Sequence, residues 1–364
     1  MIRQGHLDRT AAVVLVVAAT TAKMFLSQPA VAAQHTATGA VLVALLNGLL
    51  SLGLSWLLLN SLDPASEEGM VAQFEKLGGV FGTLVSAVMA AYFLGTVSWQ
   101  TRQMGGLIIN SMLPFTPITV VEGTTVMAFA YASALGLETI SRAAMILLLP
   151  IVTVILVLLL LTAPRFDFSR LFPPLGFGWR SLLYWSLFSG WYREAWVAAV
   201  LFPYLRRREE GVGVAVEAIA LSTGLLTLVT AALLALFGYP LLARLPAPAQ
   251  EGSRAIYLGP FVTNLEAVFV FILTTALFLM LSVMFWAGCI LVADLLKLSE
   301  YRPLVPLLAA GVWLGSYLPP SLMVTVHWSG EELREVSSFV LYPGVVTLWC
   351  LRQWRRRRER RRGA

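Results

Sequence analysis

The sequence is poor in charged residues, in cysteine and in histidine. Asp, Glu, Lys and Arg make up 13% of the 364 residues, whereas soluble domains carry about 25%. The only cysteines, Cys289 and Cys350, both lie in apolar stretches, which argues against a disulfide framework or a metal site. The three histidines lie at the ends of apolar stretches, where we expect interfacial residues. No nucleophile–base or metal-ligand pattern indicates an enzyme, and we expect no cofactor.

Long apolar stretches dominate what is present. Hydrophobic residues make up 58% of the chain, and the mean hydropathy is +0.78. A membrane crossing takes about 20 mostly apolar residues. The pattern predicts an all-α polytopic membrane protein with one transmembrane domain over 1–364. We count ten spans: 10–33, 38–62, 77–99, 118–135, 143–163, 181–208, 212–237, 261–296, 304–318 and 336–351.

The sixth span is long enough to cross a bilayer, yet Gly190, Arg193 and Glu194 lie in its middle. A charge at the bilayer centre costs about 2.5–3.5 kcal/mol on insertion scales. Non-helical backbone is tolerated there only when it is buried in protein or lines a cavity. We therefore predict a discontinuous helix and a ligand site at Gly190, Tyr192, Arg193 and Glu194. The alternative is a structural Arg–Glu pair whose members, pointing about 100° apart, have different partners.

The first span has a similar interruption. Thr20, Thr21 and Lys23 follow a clean apolar run, and Pro29 removes a backbone donor. Two broken spans in corresponding halves of a chain are typical of a transporter binding site. We predict that Thr20, Thr21 and Lys23 belong to the ligand site, with Lys23 paired to a ligand carboxylate, to Glu194 or to another buried acid. A purely structural ion pair is the alternative.

A secretory signal peptide is a second interpretation of the N-terminal segment. Arg3 and Arg9 precede the apolar run, and small residues follow at 30–33. The distance from the apolar run to these small residues is long, however, and Lys23 lies within it. We therefore favour a membrane span.

The order of the spans indicates an inverted repeat. Spans one and six are broken and spans three and eight are the longest, so a five-plus-five division over about 8–163 and 180–351 matches them. The Arg-rich tail, 352–364, and the basic cluster at 206–208 decide the orientation and predict that both termini are cytoplasmic. The net charge of +6 comes mostly from this tail. It favours contact with anionic lipid headgroups and does not indicate a nucleic-acid partner.

Three acidic residues lie near span ends: Glu122, Glu217 and Glu266. We expect them to be interfacial. The alternative is a buried coupling or structural ionic site, which proton-coupled transport would need.

Several motifs in chain order resemble one known family. They are Leu113-Pro114-Phe115-Thr116-Pro117, the stretch from Tyr131 through 136–142, Leu171-Phe172-Pro173-Pro174, Asn264-Leu265-Glu266, and Asp294 through Tyr301-Arg302-Pro303-Leu304. Together with the ten-span length, they resemble the spore germination permeases, the B subunits of nutrient germinant receptors. That family belongs to the amino acid–polyamine–organocation (APC) transporter superfamily. The resemblance covers nearly the whole chain, but the sixth span separates Gly190 from Glu194, where the family favours a Gly-Glu pair.

The resemblance implies a LeuT/APC-like bundle and a sensor. Such a subunit would bind a small nutrient germinant, an amino acid, and signal to A and C partner subunits in the inner spore membrane. An active proton-coupled amino acid transporter of the same fold is the second hypothesis. A structural anchor that binds no small molecule is the third.

Overall fold

The fold is built from α-helices. The structure, a computed structural model, describes residues 6–254, 265–328 and 332–362. Within these ranges the chain forms no β-strand, so the predicted all-α fold class is confirmed. In chain order the helices are α1 Arg9–Thr21, α2 Gln28–Thr36, α3 Ala40–Ser61, α4 Met70–Gly78, α5 Val80–Ser111, α6 Ile118–Leu135, α7 Leu137–Thr162, α8 Trp179–Phe188, α9 Val197–Leu201, α10 Gly211–Phe237, α11 Tyr239–Leu242, α12 Pro248–Arg254, α13 Leu265–Leu295, α14 Leu304–Ser316, α15 Leu322–His327 and α16 Leu333–Arg362.

The long helices follow the apolar runs of the sequence. In the part of the chain that the structure describes, six helical stretches are long and apolar enough to cross a membrane. Two shorter apolar helices, α1 and α14, accompany them. The protein is therefore a multi-pass membrane protein, and the count of ten crossings stays a prediction.

Two helix boundaries differ from the sequence prediction. The third span is predicted to end at residue 99, whereas α5 continues to Ser111. Its polar residues Gln100, Thr101 and Gln103 are buried against neighbouring helices, and no proline interrupts the helix before residue 114. At the other end of the chain, α16 includes most of the Arg-rich tail and has no break at residue 352.

Helices from the two halves of the chain interlock. Helix α13 packs against α5, α10 packs against α3, and α1 lies against α7, α10 and α13. The chain start is also tied to the second half: the Leu7 N–H donates to the Tyr204 carbonyl at 2.8 Å, and the Arg206 N–H donates to the Leu7 carbonyl at 3.0 Å. The core is consequently shared by both halves.

Two helices are interrupted inside this core. Helix α1 gives way after Thr21 to a 3-10 turn, Ala22–Phe25, before α2 begins with Pro29 in its first turn. Proline fits there because a first-turn N–H has no partner within the helix. Helix α8 ends at Phe188, and a second 3-10 turn, Arg193–Trp196, leads into α9. Both turns place polar backbone within the apolar interior.

Asn47 of α3 binds the backbone that the second interruption frees. Its amide nitrogen donates to the Ser186 carbonyl at 2.8 Å and to the Ser189 hydroxyl at 3.1 Å. Its amide oxygen accepts the Trp191 N–H at 2.8 Å. The side chain is fully buried. One amide thus replaces hydrogen bonds that a continuous helix would have made within itself.

Replacing Asn47 with leucine is expected to destabilise the protein by about 2–6 kcal/mol, because it leaves a buried donor and a buried acceptor without partners, at a cost of about 1–3 kcal/mol each. The midpoint of thermal unfolding in detergent measures this. Asn60→Leu, on the same helix, is the matched control, since the Asn60 amide donates to the Trp56 carbonyl of its own helix and to no other group of the described residues. Equal effects of the two substitutions would contradict this role for Asn47.

Candidate ligand-binding site

The two interrupted helices meet at a buried ion pair. Lys23 lies on the first 3-10 turn and Glu194 on the second, and the ammonium donates to Glu194 Oε2. Both side chains are 0% exposed. Residues 171 positions apart are therefore joined in the interior, at the places where the sequence predicts a ligand.

The second oxygen of Glu194 has two further donors. The Tyr92 hydroxyl of α5 lies 3.1 Å from Glu194 Oε1, and the Arg334 guanidinium of α16 lies 3.4 Å from it. Arg334 also donates to the Gln28 side-chain oxygen at 2.7 Å, at the start of α2. One carboxylate thus holds together both breaks, α5 and α16.

Arg193 binds a different set of groups. Its guanidinium donates to the Arg334 carbonyl at 2.9 Å and to the hydroxyls of Ser337 and Ser338, all on α16. The Ser338 hydroxyl donates in turn to the Phe188 carbonyl at 3.1 Å or to its own helix. Adjacent residues of the turn therefore have separate partners, and Arg193 connects the break to α16.

The cluster carries more positive than negative charge. Among the described residues of the cluster, Lys23 in its protonated form, Arg193 and Arg334 bring three positive charges and Glu194 one carboxylate, a surplus of two positive charges. All four are at most 1% exposed. Charges taken out of water are costly unless they are paired. The arrangement therefore suits a site that an additional anionic group can enter.

Three predicted site residues form hydrogen bonds outside the charged cluster. Thr20 and Thr21 donate to carbonyls of their own helix, and the Thr20 hydroxyl also lies 2.6 Å from the Ser222 hydroxyl of α10. The Tyr192 hydroxyl donates to the Ala44 carbonyl of α3 at 3.2 Å. The structure brings together Lys23, Arg193 and Glu194, with Gly190 against the Arg193 guanidinium. It does not bring Thr20, Thr21 or Tyr192 into the charged cluster.

The acidic residues near span ends occupy different environments. Glu122 is fully buried, contrary to the expectation of an interfacial position. It pairs with Arg102 at 3.0 Å and accepts from the Ser316 hydroxyl at 3.0 Å. The extension of α5 past Trp99 explains the burial, because it brings Arg102 opposite Glu122. Glu217 is half-exposed and pairs with Arg9, and the side chain of Glu266 lies outside the described residues.

Sequence reasoning did not identify Asn47, Tyr92 and Arg334. Asn47 and Tyr92 lie in the middle of apolar spans, and a polar group at that depth is itself a signal of function. Arg334 lies between the ninth and tenth predicted spans, whereas α16 begins at Leu333 and places the Arg334 side chain in the interior.

A cavity of about 190 Å³ adjoins the first break, with Leu26, Gln103 and Asn110 in its lining. Within the described ranges, no three His, Cys, Asp or Glu side chains lie close enough together to hold a metal ion.

Comparisons with known proteins agree with this architecture. A family model described as "Spore germination protein" matches residues 6–319. A 104-residue segment is 31% identical to Spore germination protein A2 of Bacillus subtilis (strain 168), and it spans 29% of this chain and 28% of that relative. The crystal structure of MhsT in complex with L-phenylalanine superposes with a TM-score of 0.66 at 15% identity, covering 93% of this chain and 89% of that one. This likeness shows a shared LeuT-like transporter fold.

The charge surplus predicts an order of stabilities. Glu194→Gln leaves three buried cations without a carboxylate and is expected to cost about 3–5 kcal/mol, the usual effect of breaking a buried pair. Arg334→Gln is expected to cost less, because Glu194 keeps Lys23 and Tyr92 while the surplus falls by one charge. Thermal unfolding in detergent checks the order.

Glu217→Gln serves as the exposed control and is expected to change stability by less than about 1 kcal/mol. Equal destabilisation by Glu194→Gln and Arg334→Gln would show that the surplus charge is already neutralised.

Proposed function

The chain belongs to the spore germination protein family, a family of permeases, and on that premise we propose that it is the B subunit of a nutrient germinant receptor. It binds a small nutrient, an amino acid, at the buried cluster between the two helix breaks. Binding shifts a conformational equilibrium that the A and C partner subunits read in the inner spore membrane, with both termini of this chain in the cytoplasm. A ligand can do this only through different affinities for the two conformations.

The observation that carries the proposal is the junction of the two interrupted helices at Lys23 and Glu194. Transporters of this kind bind substrate between discontinuous helices near the bilayer midplane. Ionisable groups at that depth are costly and are candidates for function by default. The likeness to MhsT, which was crystallised with L-phenylalanine, supports an amino acid as the ligand class.

Contacts to several helices make the cluster suitable for signalling. Glu194 and Arg193 contact groups on α2, α5 and α16 through Arg334, Tyr92 and the α16 serines. A ligand that competes for any of these contacts changes how the helices are held together. Signal transmission then needs no net movement of ligand across the membrane.

A second candidate function is proton-coupled amino acid transport. The buried Arg102–Glu122 pair, with Ser316, favours it, because coupling requires a carboxylate shielded from water that can exchange a proton. In that case Glu122, Lys23 or Glu194 would be the group whose neutralisation abolishes uptake.

Ligand-dependent stabilisation of the purified protein tests for the binding site. Amino acids, sugars and nucleosides are tested by thermal unfolding in detergent. One class is expected to raise the midpoint, since saturation to about 100 times Kd adds about 2.7 kcal/mol. The increase should be lost in Glu194→Gln and in Arg334→Gln, and kept in Glu217→Gln. Stabilisation by no compound, in protein shown to be folded, would favour the structural anchor.

Uptake into vesicles separates the sensor from the transporter. We expect the stabilising compound to bind without accumulating inside vesicles that contain the purified protein, with or without an inward proton gradient. Accumulation that requires the gradient and disappears in Glu122→Gln would instead establish the transporter.

A further inference from the structure

Arg193 is a buried cation that no carboxylate neutralises among the described residues. Its side chain is 1% exposed. Its contacts are neutral: the Arg334 carbonyl, the hydroxyls of Ser337 and Ser338, and the Tyr342 hydroxyl at 3.3 Å. The Glu194 carboxylate, the nearest in sequence, is instead held by Lys23, Arg334 and Tyr92.

Two aromatic rings compensate part of this charge. The guanidinium carbon lies 4.9 Å from the centre of the Tyr92 ring and 5.1 Å from that of Tyr342. A cation over an aromatic face gains about 0.5–2 kcal/mol. The cost of burying an unpaired charge is several kcal/mol. The rings therefore orient the guanidinium without replacing a counter-ion.

Two side chains that lie against the Tyr342 ring carry buried donors with no acceptor among the described residues. One is Arg193 Nε, and the other is the indole nitrogen of Trp196, which is 2% exposed. The rings of Trp196 and Tyr342 lie 6.1 Å apart. Both nitrogens can only donate hydrogen bonds. A group that satisfies them must therefore carry acceptors.

Gly190 keeps the backbone of the break close to the guanidinium. Its φ of +56° favours glycine, and a Cβ there would collide with the end of the Arg193 side chain. The guanidinium thus packs directly against freed backbone at the interruption.

We propose that the ligand of this site is a carboxylic acid with a net negative charge, whose carboxylate binds Arg193 Nε and the Trp196 indole nitrogen. The inference rests on the proposed function and names the ligand class of the same site. The surplus of two positive charges suits an acidic amino acid or a dicarboxylate better than a neutral zwitterion, which adds no net charge. Entry requires the turn Arg193–Trp196 and α16 to separate, because all these groups are shielded from solvent.

Pairs of probes that differ in one charge test the ligand class. L-Aspartate is compared with L-asparagine, L-glutamate with L-glutamine, and succinate is added, all as sodium salts at one ionic strength with sodium chloride as the blank. We expect at least one acid to raise the unfolding midpoint of the purified full chain. Its amide counterpart should bind at least tenfold more weakly.

Two tryptophan variants test where the acid binds. Trp196→Phe keeps the ring and removes the N–H, and it is expected to weaken binding of the acid about 10- to 100-fold, the effect of losing a hydrogen bond to a charged group. Trp286→Phe is the matched control. The Trp286 indole nitrogen is also buried without a described partner, but its ring packs against Tyr204 and not against Tyr342.

The possible outcomes separate this inference from the proposed function. If neutral amino acids stabilise the protein as well as the acids do, or instead of them, and Glu194→Gln abolishes the effect, the acidic class is wrong while the receptor proposal stands. If the two tryptophan variants weaken binding of an acid equally, the assigned position is wrong. If none of these probes stabilises folded protein, the acidic class is wrong, and if the wider panel of amino acids, sugars and nucleosides fails as well, the receptor proposal is also contradicted.

Discussion

The arrangement of the two broken helices depends on one carboxylate with no access to water. Glu194 accepts from Lys23, Arg334 and Tyr92, which belong to three different parts of the chain. In a low-dielectric interior an unpaired charge is far more costly than in water. The three cations would repel one another without it. The position of α16 against the breaks therefore depends on electrostatics as well as on apolar packing.

The interrupted helices also need partners for the backbone groups that lose their helical hydrogen bonds. A helix that stops in an apolar interior leaves N–H and carbonyl groups that must find partners. At the second break Asn47 and Ser338 provide them from α3 and α16. The same two helices thus flank the break with neutral polar groups, while the charged side chains meet beside it. Polar residues within apolar spans form the framework of the site.

The sequence predicted the all-α fold class from its long apolar runs. It also predicted breaks in two of these runs, because glycine, proline and charged residues inside an apolar run are local signals. Lys23 and Gly190 to Glu194 could be recognised for this reason. Their partners could not be recognised from the sequence, since Lys23 and Glu194 are 171 positions apart and Arg334 is 140 positions from Glu194. Arg334 could not be recognised because polar residues just before an apolar run look like a loop between two spans. Whether Glu122 is buried depends on how far α5 extends, because the extension carries its partner Arg102. The pattern of apolar and polar residues alone does not show where α5 ends.

Helix α16 includes both the buried Arg334 and most of the basic tail. It runs for 30 residues from Leu333 to Arg362, with Pro343 inside it. Arg334 lies in the cluster, and Arg352 pairs with Asp63 at 2.7 Å, a contact that lowers the Asp63 pKa. At about 1.5 Å per residue, some 42 Å separate Arg334 from the last arginine. A tilt of about 5° at the cluster end would displace the arginine-rich end by nearly 4 Å over a helix of that length. The helix thus couples the geometry of the buried cluster to the position of the positive charges at its far end.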